Sequence, residues 1–283
     1  MHSVIFSHLI GIELAVNVAN NLSQQAPMAH FDQKIDTKKL MPKILIYFFE
    51  KNSYLFGCFG LLLSACLLIY IYPATGLDQT LIAPYFDASV HRFVLKHDPF
   101  LEQFMHLGLK YCMIAVAITS LAIALRANII APFKASFFAR FKSLFKNPFF
   151  LAFVGMLVST TTVSFLKSTS MHGCPSDLTL YGGDLPLFPL FAHLPAGVNA
   201  GHCFPGGHAS GGFALMAFYY AFRDSQANFA RSMLILSLLL GFAMGWAQMM
   251  RGEHFLSHNL WAAWLVWLVL FVIFSIKKLI EKN

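Results

Sequence analysis

Three polar clusters stand at the ends of hydrophobic runs, and their residue types suit phosphate chemistry. The first is Lys167 followed by Cys174-Pro175. The second is Pro205-Gly206-Gly207-His208-Ala209-Ser210. The third runs Arg251-Gly252-Glu253-His254-Phe255-Leu256-Ser257-His258. A lysine or arginine at the edge of a bilayer is costly and is usually retained for function. Two histidines, two cationic side chains and a glycine pair are what a site needs to hold a phosphate and break a phosphoester.

Each cluster also has an ordinary structural reading. Gly206 and Gly207 precede a predicted helix with His208 in its first turn. Free amides and the helix dipole favour an anion there, and glycine lets the backbone approach it closely; the alternative is a plain loop-to-helix turn. Lys167 is either a snorkelling stop residue or a phosphate ligand. His254 and His258 are four apart and share one face if the helix covers both. They read either as a metal pair with His208 or His202 as third ligand, or as a nucleophile, His254, oriented by His258, since neutral imidazole both donates and accepts hydrogen bonds. No carboxylate or thiolate falls at a recognised metal spacing. Arg251 offers a planar fork for phosphate oxygens, or an interface anchor. Trp261, Trp264 and Trp267 read as packing and lipid contacts.

The elements that must position these clusters are membrane spans. Of 283 residues 57% are hydrophobic and only 12% charged, where a soluble domain carries about 25% charged residues. The fold expected is all-α: a polytopic bundle of six transmembrane helices. The spans run about Tyr54–Tyr72, Met105–Leu125, Pro148–Leu166, Gly207–Phe222, Met233–Met250 and Ser257–Ile276, each near the ~20 residues that cross a hydrocarbon core. The formal charge of +7 does not point to nucleic acid, because the basic residues fall in alternate loops, the positive-inside pattern. Both termini then face the cytoplasm. All three polar clusters fall on the opposite, more acidic side, so the active site is expected at the outer interface.

Residues 1–52 form an N-terminal segment, cytoplasmic or amphipathic, and 53–283 the transmembrane domain. Met1–Ala19 lacks a basic start and is interrupted by Glu13 and Asn17, so it does not read as a signal peptide. The 126–147 loop, with Phe133, Phe137, Phe138, Phe141 and Phe145 among cations, reads as a helix on anionic headgroups or as a plain connector. Residues 73–104 suit an interfacial helix. Cys58, Cys66 and Cys112 fall inside spans and are expected to pack as small apolar residues. Cys174 and Cys203 share the long outer loop, where an oxidising compartment permits a disulfide.

Taken together, the clusters resemble the type 2 phosphatidic acid phosphatase/vanadium haloperoxidase superfamily. That family's pattern is a lysine followed six residues later by Arg-Pro, then Pro-Ser-Gly-His, then Ser-Arg with a histidine and, after it, an aspartate. Here Lys167 is followed by Cys174-Pro175, and the second motif is Pro205-Gly206-Gly207-His208. In the third, Ala247-Gln248 replaces Ser-Arg, His254 falls in register and His258 replaces the aspartate. The resemblance covers about 148–276, the catalytic half. Lys167, Gly207, His208 and His254 carry over; Cys174, Gly206, Gln248 and His258 are substitutions. Arg251, one helical turn from Gln248, is placed to supply the missing cation.

The resemblance implies a mechanism with no cofactor and no metal. His254 attacks phosphorus, His208 protonates the departing oxygen, and water then cleaves the phosphohistidine with His208 as base. His258 orients His254, and Lys167, Arg251, Gln248 and the Gly206–Gly207 amides bind the phosphate oxygens. The function implied is hydrolysis of a lipid phosphomonoester or pyrophosphate on the periplasmic face of a bacterial inner membrane. Candidate substrates are phospholipid, polyprenyl and lipid A phosphates. The rival readings are a lipid phosphotransferase and a non-catalytic lipid-binding or transport protein on the same fold.

Overall fold

The computed structural model describes residues 53–130, 136–190 and 201–282; the expected N-terminal segment 1–52 and Phe133 lie outside the described residues. The chain enters through α1 (Ser53–Cys66), which runs on through a π-helical turn and a 3-10 turn to Thr75. A short α2 (Leu77–Ile82) and a two-residue hairpin, β1 (Phe86–Asp87) with β2 (Arg92–Phe93), follow. A π-helical segment, Phe100–Gly108, leads into α3 (Leu109–Ile130). Next come α4 (Phe137–Leu144) and α5 (Pro148–Ser168). The last part of the chain is α6 (Gly207–Phe213), α7 (Met216–Phe222), α8 (Ala227–Met250) and α9 (Leu256–Lys282).

Five helices among the described residues are long and apolar enough to cross a membrane: Tyr54–Thr75, Phe100–Ile129, Pro148–Ser168, Ala227–Met250 and Leu256–Glu281. This is an all-α membrane protein whose only strands among the described residues are the two-residue pair. The expected fourth span is the exception. Gly207–Phe222 is two short helices joined at Ala214-Leu215, where hydrogen bonds tighten to i→i+3, Leu215 N to Gly212 O and Ala217 N to Ala214 O. At 1.5 Å per residue it extends roughly 24 Å, short of a ~30 Å hydrocarbon core. It is also the most enclosed element, because its small residues let neighbours close in: a Cβ on Gly212 would lie 2.5 Å from the backbone nitrogen of Gly241 in α8. Small residues permit such approach where lipid leaves packing as the main attraction between helices.

The main core forms around that element. Ala152 and Met156 of α5, Phe213 of α6, Ala217 of α7, and Val266 and Leu270 of α9 are all buried together. α5 starts sharply because Asn147 accepts hydrogen bonds from Phe149 N and Phe150 N at 2.9 and 3.3 Å, with Pro148 in the first turn. The end of α5, the start of α6, the end of α8 and the start of α9 all lie at one end of the bundle.

A second, smaller core sits at that end. Ile82, Phe93, Leu178, Tyr181, Met249 and Phe255 bury one another. The 73–104 stretch is therefore not one interfacial helix. It folds as α2, the hairpin and the π-helical segment, and the hairpin packs on the loops after α5 and α8 because Phe93 needs the cover those loops supply. The cysteine expectation also divides. Cys58, Cys66 and Cys112 are exposed on the chain's surface rather than packed in the core; a helix in a bilayer has no need to turn small apolar residues inward.

Candidate active site

Four chain segments meet where the clusters were expected. Lys167 ends α5, and its stem lies over Gly207: a Cβ there would stand 3.6 Å from Lys167 Cδ and 3.8 Å from its Nζ. His208 follows in the first turn of α6. Cys203 is bonded to Cys174, with Cα atoms 5.1 Å apart, which ties the loop after α5 to the start of α6. The Cys203 sulfur stands 3.6 Å from His254 Nδ1.

His254 and His258 are both buried, and their Nδ1 atoms face each other at 3.3 Å. One proton between them makes a hydrogen bond, so one ring donates and the other accepts. Burial first, then His258, Lys167 and His208, hold the His254 imidazole well below the usual histidine range. It is therefore neutral at neutral pH. Ligand atoms of Cys203, His254 and His258 lie within 4.8 Å of one another. The oxidised Cys203 sulfur offers no thiolate, so this trio falls short of a three-ligand site.

Arg251 is brought to the cluster but is not a free fork. It is 5% exposed; Nε donates to the Lys96 carbonyl at 2.9 Å, Nη1 to Gln248 Oε1 at 3.2 Å, and Nη2 pairs with Glu102 at 3.5 Å. Gln248 is buried, and its Nε2 finds no acceptor among the described residues. Buried donors are nearly always satisfied, so this amide is an exception among the described residues. Gly206 is likewise committed, since its N–H donates to the His258 carbonyl at 2.9 Å. It does not present an amide to phosphate as the sequence suggested. A Cβ on Gly206 would lie 2.7 Å from Asn259 Oδ1 and 3.2 Å from the His258 carbonyl oxygen, so a larger residue there would crowd both.

Several site-forming residues were not singled out in the sequence. His106 packs edge-on against His208 with ring centroids 3.9 Å apart. Glu102 holds Arg251. Lys96 Nζ donates to Ser176 Oγ at 2.9 Å and lies 3.9 Å from Glu253, clamping the loops after α5 and α8 together. Asp78 accepts from Ser257 N and Oγ at 2.8 and 2.6 Å and so caps α9. The available signal was polarity: His106 and Lys110 are polar residues inside the start of an expected span, where such groups usually serve function.

A cavity of about 470 Å³ opens beside the cluster. Lys110, Lys167 and His208 line its polar end; Ile114, Phe153 and Leu157 are among the residues of its apolar wall between α3 and α5.

No curated protein and no solved structure matches the chain. Residues 148–281 match the family model described as PAP2 superfamily, a span that takes in Lys167, His208, His254 and His258 but neither Asp78 nor His106. The chain's likeness to the PAP2 superfamily therefore rests on this segment, a little under half of its length.

Proposed function

We propose that this chain is a membrane lipid phosphatase that hydrolyses a phosphomonoester or pyrophosphate through a phosphohistidine, without a metal. Likeness to a superfamily of phosphatases supports the reaction class. The observation that carries the reading is a cavity with Lys167 and His208 at its basic end and an apolar wall, beside the buried His254–His258 pair. A lipid phosphate has that same division, a dianionic head on an apolar chain.

The hydrogen bond between the histidines dictates how His254 acts. Its Nδ1 must carry the shared proton and donate to His258 Nδ1, which leaves a lone pair on Nε2 to attack phosphorus. Burial first of all holds the pKa of the His208 imidazole down to about 3, so it takes up its proton together with the dianionic phosphate. As the new bond forms, the bond from phosphorus to the leaving oxygen breaks and His208 passes that proton to the oxygen. Water then attacks phosphorus, His208 takes a proton from it, and the bond from Nε2 to phosphorus breaks to release phosphate. Lys167 and the Gln248 Nε2 amide meet the charge on the phosphoryl oxygens. Arg251 acts through what it holds, fixing Gln248 and Glu102. The site faces the periplasm in this reading, because the basic loops fall at the other end of the spans and Cys174–Cys203 needs an oxidising compartment.

The test is phosphate release from a panel of lipid phosphates by the purified chain, with His254→Ala as control. We expect release by the wild type, an acid-labile phosphoenzyme on rapid quenching, and loss of both in the variant. Unchanged release by His254→Ala overturns the mechanism. Transfer of the phosphoryl group to an added lipid in preference to water makes the chain a phosphotransferase, and lipid binding without turnover makes it a binding protein.

A further inference from the structure

The half of the chain outside the family match brings a second basic pair to the same cavity. His106 lies in the π-helical segment Phe100–Gly108 and Lys110 in the first turn of α3. Four residues apart, they are neighbours on one helical face. The His106 ring lies against His208, and its Nδ1 is buried with no partner among the described residues. Lys110 lines the cavity together with Lys167, Gly207 and His208. Glu102, one turn before His106, is already engaged by Arg251 at 3.5 Å and His97 at 3.9 Å. Among the described residues no carboxylate pairs with Lys110.

The position of this pair relative to the two reacting histidines matters. The His106 ring packs on His208, and Lys110 lines the cavity beside His208, a lining that does not include His254. His106 and Lys110 therefore stand on the leaving-group side. A leaving alcohol needs a proton there and nothing else. A lysine and a histidine placed beyond the acid have something to bind only when the leaving group is itself an anion.

We propose that His106 and Lys110 form a subsite for a second phosphoryl group, so that the preferred substrate is a lipid diphosphate. This rests on the phosphatase reading above. In the step it implies, His254 Nε2 bonds to the terminal phosphorus and the bond from that phosphorus to the bridging oxygen breaks. The electron pair leaves with the lipid monophosphate, whose charge Lys110 and His106 hold; His208 supplies the proton, and water later releases orthophosphate from His254. The lipid chain lies along the Ile114, Phe153 and Leu157 wall.

The experiment uses the full chain in detergent micelles with a polyprenyl diphosphate and the monophosphate of the same polyprenol. Lys110→Met should lower kcat/KM on the diphosphate about 10–100-fold, the range for one hydrogen bond to a charged group, and on the monophosphate by a clearly smaller factor; Lys110→Arg should restore most of the loss. Binding is read separately with inorganic anions. The wild type should bind pyrophosphate more tightly than orthophosphate, and Lys110→Met or His106→Leu should erase that preference. Equal losses on both lipids, or equal wild-type affinity for the two anions, overturn the subsite. If Lys110→Met does not fold, the wild-type anion comparison decides alone. A wild type that prefers pyrophosphate yet hydrolyses neither lipid keeps the subsite and overturns the phosphatase reading.

Discussion

Nδ1 of His254 lies 3.3 Å from Nδ1 of His258, and a single proton joins them. A carboxylate at position 258 can only accept from His254; an imidazole can accept, donate or take a proton of its own. His258 thus does the orienting job in one tautomer alone. His258→Asp should hold kcat or raise it, because every protonation state in use then points the His254 Nε2 lone pair at phosphorus. His258→Leu should lower kcat by about 10²–10⁴-fold if orientation and general acid–base losses are of similar size. Steady-state kinetics on any accepted lipid phosphate checks both.

The pH dependence has a definite sign. In the proposed mechanism His254 works as the neutral imidazole, and its surroundings push its pKa well below the ordinary histidine value. Activity should therefore persist through the range where a free histidine protonates, near pH 6.5, and fall only at more acid pH. Stability follows the same direction. The unfolded chain binds the proton first, so stability contributed by the neutral buried ring is present above the unfolded pKa and declines as pH falls below it. A kcat/KM profile whose acid limb sits above pH 7 contradicts this.

His208→Ala should slow turnover by about 10²–10⁴-fold, the range for losing a general acid, with phosphoenzyme accumulating because water attack then lacks its base. Rapid-quench trapping distinguishes this from His254→Ala, which should form none.

Much of this arrangement was legible in the sequence, and the limits have physical reasons. Lys167, His208 and His254 could be named because each stands where a hydrophobic run ends, and helices of bilayer length bring alternate ends to one side. The Cys174–Cys203 bridge followed from two cysteines in one long loop. What could not be read were the commitments of groups already at the site. Nothing in the string says that Gly206 N–H is taken by the His258 carbonyl, or that Arg251 is held by Lys96, Gln248 and Glu102. Those are contacts between residues up to 155 positions apart, decided by tertiary packing. Nor does the string announce that the Gly207–Phe222 stretch is two short helices meeting at Ala214-Leu215.

Breaking the Cys174–Cys203 link should be felt twice. Cys174→Ala with Cys203→Ala should destabilise the chain by ~3–4 kcal/mol on the loop-entropy estimate, read as a lower unfolding midpoint in detergent. Because Cys203 sulfur touches His254, kcat should also drop, whereas a disulfide that served stability alone would leave kcat at low temperature intact.

Removing the cap on α9 should be costly at a distance. Asp78→Ala deletes both bonds to Ser257 and the one from Tyr72, at 2.7 Å. A lost helix cap costs about 0.5–2 kcal/mol, and here the frayed turn carries His258. Thermal unfolding and kcat should fall together; an unchanged kcat would show that His258 keeps its place without the cap.

The reach of Asp78 has a consequence for how much of the chain the proposed chemistry needs. Recognition by motif starts at residue 148, yet the turn that presents His258 is fastened by a carboxylate from α2, just past the first span, and Arg251 is fastened by the start of the second. A chain trimmed to the recognisable half would keep all the residues that name its family and lose the ones that aim them. Swapping that half between relatives should transfer the chemistry only when the earlier spans travel with it, so the heritable unit of this activity is the whole bundle from α1 onward.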